Sequence, residues 1–225
     1  DDDLARYRAL GPILKSLNQD SDSSIRFAAS QLLEPPDEGF ILKDGLKPLL
    51  IMDWNEGADF DRHVKNIIFS KNSLNDKKRM FRDLKFLMME LFRFMHDKGV
   101  SHGDISSGNI MVEETPTGRK IHVVDFDSFF TPEIKGLRPT SVGHPDWQHP
   151  RYINGQLDLL GLKADYCPFL LMALTLEALA TDTHLYDRYA SKDTDGSGIL
   201  MRRNDLIDPQ SSAVMSEMRV ISDPI

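Results

Sequence analysis

The sequence predicts an α+β fold, in which a helix and short antiparallel strands precede a larger, mostly helical part. Two observations support this fold class. Apolar residues recur at three- and four-residue spacing in several long segments, and short apolar runs bounded by turn residues lie between these segments. We place the boundary after the last of the early strands. The two predicted parts are therefore residues 1–54 and residues 55–225.

The first predicted element is a helix of about four turns near the start of the chain. One stripe of this helix carries its apolar residues, which are Leu4, Tyr7, Leu10, Ile13, Leu14 and Leu17. The apolar segment 25–33 and the runs 40–42 and 46–54 follow, separated by turn sequences rich in Pro, Asp and Gly. This spacing predicts a short antiparallel meander.

The second part begins with a helical pattern from Asp59 and continues with a longer amphipathic helix over Asn75–Lys98. Gly99 is placed to end that helix. Two short strands, Ile110–Val112 and Ile121–Val124, are separated by turn residues and predict a hairpin. The remainder is predicted to be mainly helical.

Composition restricts the partners and the compartment. The net charge of −8 argues against nucleic-acid binding, which depends on neutralising phosphates. The longest apolar stretch, Tyr166–Ala180, is too short for a membrane span and contains Glu177, so we expect a buried helix and no membrane partner. The single cysteine, Cys167, cannot form an internal disulfide, which favours a reducing, cytoplasmic location.

The most informative segment is His-Gly-Asp-Ile-Ser-Ser-Gly-Asn, residues 102–109, followed sixteen residues later by Asp125-Phe126-Asp127. Phosphoryl transfer needs a carboxylate that orients and deprotonates an attacking hydroxyl, and oxygen ligands for the metal ions that neutralise the phosphates. Asp104 is suited to the first role, and Asn109 and Asp125 to the second. The predicted hairpin would return Asp125 to the loop of Asp104 and Asn109.

With these motifs the chain resembles the protein-kinase-like superfamily from about residue 46 onward. Asp125-Phe126-Asp127 stands where kinases have Asp-Phe-Gly, and 143–151 resembles the end of the activation segment. More narrowly, it is similar to a bacterial serine/threonine-kinase-like group that has His-Gly-Asp in the catalytic loop. The similarity includes the stretch Gly-His-Pro-Asp-Trp-Gln-His-Pro-Arg and a tail like Leu200–Asp205, Pro209 and Ser211-Ser212.

The resemblance implies a mostly helical C-lobe, a partial N-lobe, and ATP with Mg²⁺ or Mn²⁺ as cofactors. It implies that residues 50–57 form the hinge, with Met52 at the gatekeeper position and the backbone of Asp53 and Asn55 facing adenine. Asp165 directly precedes the apolar helix and is its expected N-cap. The resemblance also implies that Asp165 binds the backbone of the catalytic loop. Asp127 is either a further metal ligand or a solvated turn residue.

The chain also departs from the kinase pattern. No glycine-rich phosphate loop and no strand lysine with a helical glutamate partner occur in this sequence. Gly103 stands where many protein kinases have arginine. Similar His-Gly-Asp loops occur in aminoglycoside and choline kinases, so the hydroxyl acceptor is either a protein or a small molecule.

The leading hypothesis is therefore an ATP- and metal-dependent phosphotransferase, with Asp104 as base and protein serine or threonine as acceptor. The alternatives are a pseudokinase that binds or scaffolds without turnover, and a small-molecule kinase. Calcium sensing by Asp193–Asn204 is a third alternative, but its twelfth position is Asn204 instead of the Glu of an EF-hand, which favours a surface turn.

Histidines near these motifs are given structural roles. We expect His102 to brace the loop backbone beneath Asp104. His144 and His149 with Asp146 could suggest a metal site, but the absence of nearby cysteines favours segment packing. Trp147 is expected to be a packing anchor.

Overall fold

The protein has a mixed α/β fold that is about 50% helical and contains small sheets. This agrees with the α+β class expected from the sequence. The computed structural model describes residues 2–21, 24–34, 40–42, 45–134, 143–156, 161–190 and 198–221.

Helix α1, Asp2–Asp20, is longer than the four turns predicted for it. Its expected apolar stripe is confirmed, since Leu10, Leu14 and Leu17 are buried in the core. Asn18 near its end fixes the chain that follows: its amide accepts from the backbone N–H of Phe27 and donates to the carbonyl of Phe27, both at 2.8 Å. Helix α1 is thereby tied to the first strand.

The spacing predicted one antiparallel meander for the early strands, but four of them form two separate antiparallel pairs. The strands are β1 Ile25–Phe27, β2 Ser30–Leu33, β3 Phe40–Leu42, β4 Gly45–Lys47 and β5 Leu49–Met52. β2 pairs with β5, and β3 pairs with β4, in both cases antiparallel. The predicted turn between β3 and β4 includes Lys43 and Asp44, which lie outside the described residues.

The expectation that residues 25–27 join the antiparallel meander is wrong. β1 instead runs parallel to β8, Gly118–Val123, in a four-stranded sheet of order β1-β8-β7-β6. The other two strands are β6, Ala58–Asp59, and β7, Ile110–Thr115. Ile25 and Phe27 are buried, so β1 lies where both of its apolar side chains enter the core. A strand from the first predicted part is thus hydrogen-bonded to the second.

The hairpin of β7 and β8 is confirmed and is longer than predicted, with Thr115 paired to Gly118 at its turn. The helices of the second part are α2 Phe60–Phe69, α3 Leu74–Asp97, α4 Pro150–Ile153, α5 Tyr166–Thr181, α6 His184–Tyr189, α7 Arg203–Ile207 and α8 Ala213–Ile221, with a short 3₁₀ turn at Pro132–Ile134.

Helix α3 forms the centre of the second part and packs against α5. The hydroxyl of Ser73 caps its first turn by accepting from the backbone N–H of Asp76 at 3.1 Å. Gly99, with φ of 68°, takes the left-handed conformation that ends helices, as predicted. The buried face of α3 consists of Phe81, Leu84, Met88, Leu91 and Met95.

Within the described part of the chain, no helix combines the length and the apolarity required to cross a membrane. The apolar segment predicted as a buried helix is α5, and most of its residues are buried.

Candidate active site

The loop that follows α3 is joined at its start to the segment after Asp125. Ser101 and Phe130 form an isolated antiparallel bridge, with N–H···O distances of 3.0 and 2.8 Å. Further along, the carbonyl of Ser107 accepts from the N–H of Phe60 at the start of α2, at 3.0 Å. The loop is therefore held at both ends by other elements.

Asp165 holds the middle of this loop. Its carboxylate accepts from the backbone N–H groups of His102, at 2.6 Å, and Gly103, at 2.9 Å. This confirms the bracing role expected for Asp165. Burial raises the pKa of the Asp165 carboxyl, and the two N–H donors counteract this increase. The expectation that Asp165 also caps α5 with its side chain is wrong, because both of its oxygens already accept bonds from the loop.

His102 connects the loop to the end of β8. Its Nε2 lies 2.8 Å from the carbonyl of Val124, and its Nδ1 lies 3.3 Å from the backbone nitrogen of Asp104. A neutral imidazole with the proton on Nε2 satisfies both contacts. His102 is fully buried, and it braces the loop as expected.

Asn109 connects the predicted base, Asp104, to the segment of the predicted metal ligand, Asp125. Its Nδ2 donates to the carbonyl of Asp104 at 2.8 Å. Its backbone carbonyl accepts from the N–H of Val124, the residue before Asp125, at 3.1 Å. The three predicted residues Asp104, Asn109 and Asp125 are thus connected by two hydrogen bonds and one peptide bond.

Asp125 has an unusual backbone conformation. Its φ is 66°, and among the described residues it is the one non-glycine residue with a positive φ. Asp tolerates this left-handed region better than most residues, but at a cost in free energy, and such conformations are frequent at functional sites. Asp125 is exposed, so solvent and solutes can reach it.

Asp127 was predicted to be either a metal ligand or a solvated turn residue. It is exposed, but its side chain also contacts another part of the protein. The hydroxyl of Tyr7 in α1 donates to its Oδ1. The neighbouring Arg6 is buried, and its Nη1 donates to the carbonyl of Phe129 at 2.7 Å. Sequence reasoning missed both α1 residues, because Tyr7 was counted only as part of the apolar stripe.

Gly143 and Gln148 were also missed as parts of the site. Gly143 has φ of 77°, and a Cβ at this position would lie 2.8 Å from both Asp104 Oδ1 and Gln148 Nε2. Gln148 is fully buried, and its Nε2 lies 3.4 Å from the carbonyl of Gly103. The segment after residue 142 therefore packs directly against the Asp104 side chain. The sequence signal for this contact is the glycine that begins the motif 143–151, because a larger residue would not fit beside Asp104.

The rest of this segment packs as predicted. Trp147 is buried, and the Asp146 carboxylate accepts from the backbone N–H groups of Arg203, at 2.8 Å, and Gly198, at 3.2 Å. The Nδ1 of His149 lies 3.2 Å from the backbone nitrogen of Arg151 and caps the start of α4. The interactions of Asp146 and His149 are consistent with segment packing.

The segment predicted to face adenine is open to solvent. Met52 is 53% exposed and Trp54 is 89% exposed. The backbone N–H of Asp53 donates to the carbonyl of Ala29 at 3.0 Å, and the Asp53 carbonyl accepts from Asn55 Nδ2 at 3.1 Å. The side chains of Met52 and Trp54 are therefore more exposed than those of Asp104 and Asn109, which are half-buried.

A short series of hydrogen bonds connects this open segment to Asp125. Asp53 is bonded to Ala29, and the preceding Ala28 donates to the carbonyl of Val123 at 2.9 Å. Val123 ends β8, two residues before Asp125. The predicted base-binding and metal-binding residues thus lie on adjacent chain segments.

A scan against protein-family models finds no match, and no curated protein is significantly similar in sequence.

The donor set around Asn109 suits Mg²⁺ or Mn²⁺. Among the described residues, no group of three or more His, Cys, Asp or Glu side chains is arranged to hold a metal ion. Magnesium, however, commonly uses one or two protein carboxylates together with water and substrate phosphates. Since Asn109 Nδ2 is bonded to Asp104, the amide oxygen is left for a cation, and Asp125 supplies an exposed carboxylate. The first part of the calcium-loop alternative, Asp193–Ser197, lies outside the described residues.

Proposed function

We propose that this protein is an ATP- and metal-dependent phosphotransferase of protein-kinase-like fold. It transfers the γ-phosphate of ATP to a hydroxyl group, and the favoured acceptors are protein serine and threonine residues. The observation that carries the proposal is the position of Asn109, which is bonded to the Asp104 carbonyl through its side chain and to Val124 through its backbone.

Each of these residues has a separate chemical role in the proposal. Asp104 orients the acceptor hydroxyl and accepts its proton. The Asn109 amide oxygen and the Asp125 carboxylate hold the divalent cation, which neutralises phosphate charge when bound. Asp165 and His102 keep the loop in one conformation, so the positions of these groups are set before a substrate arrives.

The base of the nucleotide is assigned to the segment around Asp53 and Asn55. The series of hydrogen bonds from Asp53 through Ala29 and Ala28 to Val123 supports this assignment, because it brings the segment beside the end of β8. The exposed Trp54 and Met52 offer apolar surface to a planar ring.

The alternative class is a pseudokinase, which binds a nucleotide or a partner without turnover. A glycine-rich phosphate loop together with a strand lysine, which kinases use to hold the phosphates, would favour the enzyme over this alternative. A small-molecule kinase is the second alternative, and it differs from the leading proposal only in the acceptor.

The test compares the protein with its Asp104→Asn variant in the presence of ATP labelled on the γ-phosphate and Mg²⁺. The acceptors are a serine-rich model protein in one arm, and choline or an aminoglycoside in another. We expect transfer to protein by the unchanged chain and a loss of at least about 100-fold in the variant, the size typical of removing a general base.

The matched control is Asp83→Asn, an exposed aspartate on α3. It should retain full transfer. Equal transfer by the protein and Asp104→Asn would remove Asp104 from the mechanism. Binding of MgATP without transfer in any arm would instead establish the pseudokinase alternative, and transfer to the small molecules alone would establish a small-molecule kinase.

A further inference from the structure

Asp127 and Asp125 are two carboxylates separated by one residue, yet they have different surroundings. Asp125 is exposed, whereas an Asp127 oxygen accepts a hydrogen bond from the Tyr7 hydroxyl of α1. A hydrogen bond from a hydroxyl to an ionised carboxylate is among the stronger kinds in proteins. A cation that takes Asp127 as a ligand through this oxygen competes with the Tyr7 hydroxyl for its lone pairs.

We propose that Tyr7 is a positioning residue that withholds Asp127 from the divalent cation, so that Asn109 and Asp125 bind the cation without it. This inference rests on the proposed metal site and assigns Asp127, which sequence reasoning left open. It also assigns α1 a role at the site, since the Tyr7 contact opposes coordination of a cation by Asp127 Oδ1.

A second contact holds α1 to the same turn. Arg6, next to Tyr7, is buried and donates to the carbonyl of Phe129. A buried guanidinium is costly unless it is bonded, so this contact resists separation of α1 from the turn. The turn is closed by a bond from the N–H of Phe129 to the carbonyl of Phe126 at 3.1 Å. Helix α1 therefore donates hydrogen bonds both to the side chain of Asp127 and to the backbone of Phe129.

The loop after α3 also approaches this turn closely at Gly103. A Cβ on Gly103, which has φ of 80°, would lie 2.4 Å from the carbonyl oxygen of Ser128. The bridge between Ser101 and Phe130 fixes the residue that follows the turn. The turn that carries Asp127 is thus contacted both by α1 and by the loop after α3, and the Tyr7 bond restrains the Asp127 side chain.

The test measures Mn²⁺ binding by the full chain, using electron paramagnetic resonance with a non-hydrolysable ATP analogue, and does not depend on turnover. Tyr7→Phe removes the hydroxyl and keeps the ring. We expect it to tighten Mn²⁺ binding about fivefold, the factor that corresponds to one competing hydrogen bond. Asp127→Asn alone should change binding less than about twofold, and the double variant should return to the value of the unchanged chain.

The matched control is Tyr189→Phe, because the Tyr189 hydroxyl also donates to a carboxylate, that of Glu217, at 2.7 Å. It should leave Mn²⁺ binding unchanged. Melting temperatures of all variants establish that the fold is retained.

Two results would overturn the inference. The first is Mn²⁺ binding in Tyr7→Phe that equals that of the unchanged chain. The second is a loss of tenfold or more in Asp127→Asn, which would make Asp127 a resident ligand. Asp125→Asn separates this failure from failure of the proposed function: it should abolish binding in either case. If the unchanged chain binds no Mn²⁺, or Asp125→Asn binds it equally well, the metal site and this inference fall together.

Discussion

The loop around Asp104 and the segment around Met52 differ sharply in how they are held. The loop is held by buried groups, since the Asp165 carboxylate accepts from two of its backbone N–H groups and the His102 ring accepts from a third. The Met52 segment exposes most of its large side chains, and Trp54 is almost fully accessible. Groups that must meet a reacting atom need fixed positions, whereas a surface for a planar base can remain open until the base arrives.

This contrast predicts that substitutions in the loop alter stability and transfer together, whereas substitutions in the open segment affect nucleotide affinity alone. The largest expected effect is that of Asp165→Ala. It leaves the buried N–H groups of His102 and Gly103 without their acceptor, and each such loss costs about 1–3 kcal/mol. We expect a decrease of about 4 kcal/mol in the free energy of unfolding, measured by urea denaturation.

Asp83→Ala is the control for this measurement, since Asp83 is exposed on α3. Its free energy of unfolding should stay within about 0.5 kcal/mol of the unchanged chain. A loss of less than about 1 kcal/mol in Asp165→Ala would mean that the loop does not depend on this carboxylate.

The second effect is a pH dependence that arises from His63 in α2, the helix whose first N–H bonds to the loop carbonyl of Ser107. Burial lowers the pKa of His63 to about 4, and the nearby Arg119 lowers it further while Glu114 raises it. His63 is therefore neutral at pH 7, and its 3.6 Å approach to Glu114 is not an ion pair there.

Between the ordinary histidine pKa of about 6.5 and the folded pKa, the unfolded chain binds a proton that the folded chain does not. Stability must therefore fall as the pH decreases through this window, by about 3 kcal/mol between pH 7 and pH 4. His63→Gln should flatten this part of the curve, whereas the exposed His184→Gln should not. An unchanged slope in His63→Gln would contradict the assignment.

A third, smaller effect is expected at Gly143. Gly143→Ala introduces a methyl group 2.8 Å from Asp104 Oδ1 at a backbone φ of 77°. The strain should cost about 1–2 kcal/mol of stability, and displacement of Asp104 should lower phosphate transfer about 100-fold. Gly155→Ala is a close control, because Gly155 has φ of 68° but no atom within 4 Å of the added methyl group. Equal transfer by the two variants would show that the contact with Asp104 is unimportant.

The smallest effect on stability is expected for Trp54→Ala in the open segment. Since Trp54 is 89% exposed, the free energy of unfolding should change by less than about 0.5 kcal/mol. The affinity for ATP, measured by calorimetry, should fall about tenfold if the indole contacts the base. The exposed Val220→Ala should alter neither quantity. An unaltered ATP affinity in Trp54→Ala would place the base elsewhere.

The features that were predicted correctly depend on local sequence. The periodicity of α3 and the turn of the β7–β8 hairpin are properties of short segments. The position of Asp165 was inferred from resemblance and then found in the described contacts. The side chain of Asp165 does not cap α5, because capping and loop bracing compete for the same two oxygens.

The features that were missed join segments far apart along the chain. β1 pairs with β8, and Tyr7 bonds to Asp127, across roughly a hundred or more residues. Such pairs leave no periodic signal, since either partner alone resembles an ordinary strand or an ordinary helix residue. Gly143 was recognised as part of a motif. The reason that this position requires glycine became clear only from the position of the Asp104 side chain, which leaves no room for a Cβ.

The pairing of β1 with β8 predicts how a truncated form of the protein would behave. The N–H of Ile121 and the carbonyl of Val123 bond to Ser24 and Ala28, so a fragment beginning at residue 55 would expose this row of polar groups. Unpaired sheet edges recruit strands from other molecules. Such a fragment is expected to self-associate, and supplying residues 1–54 as a separate peptide should return it to a monomer.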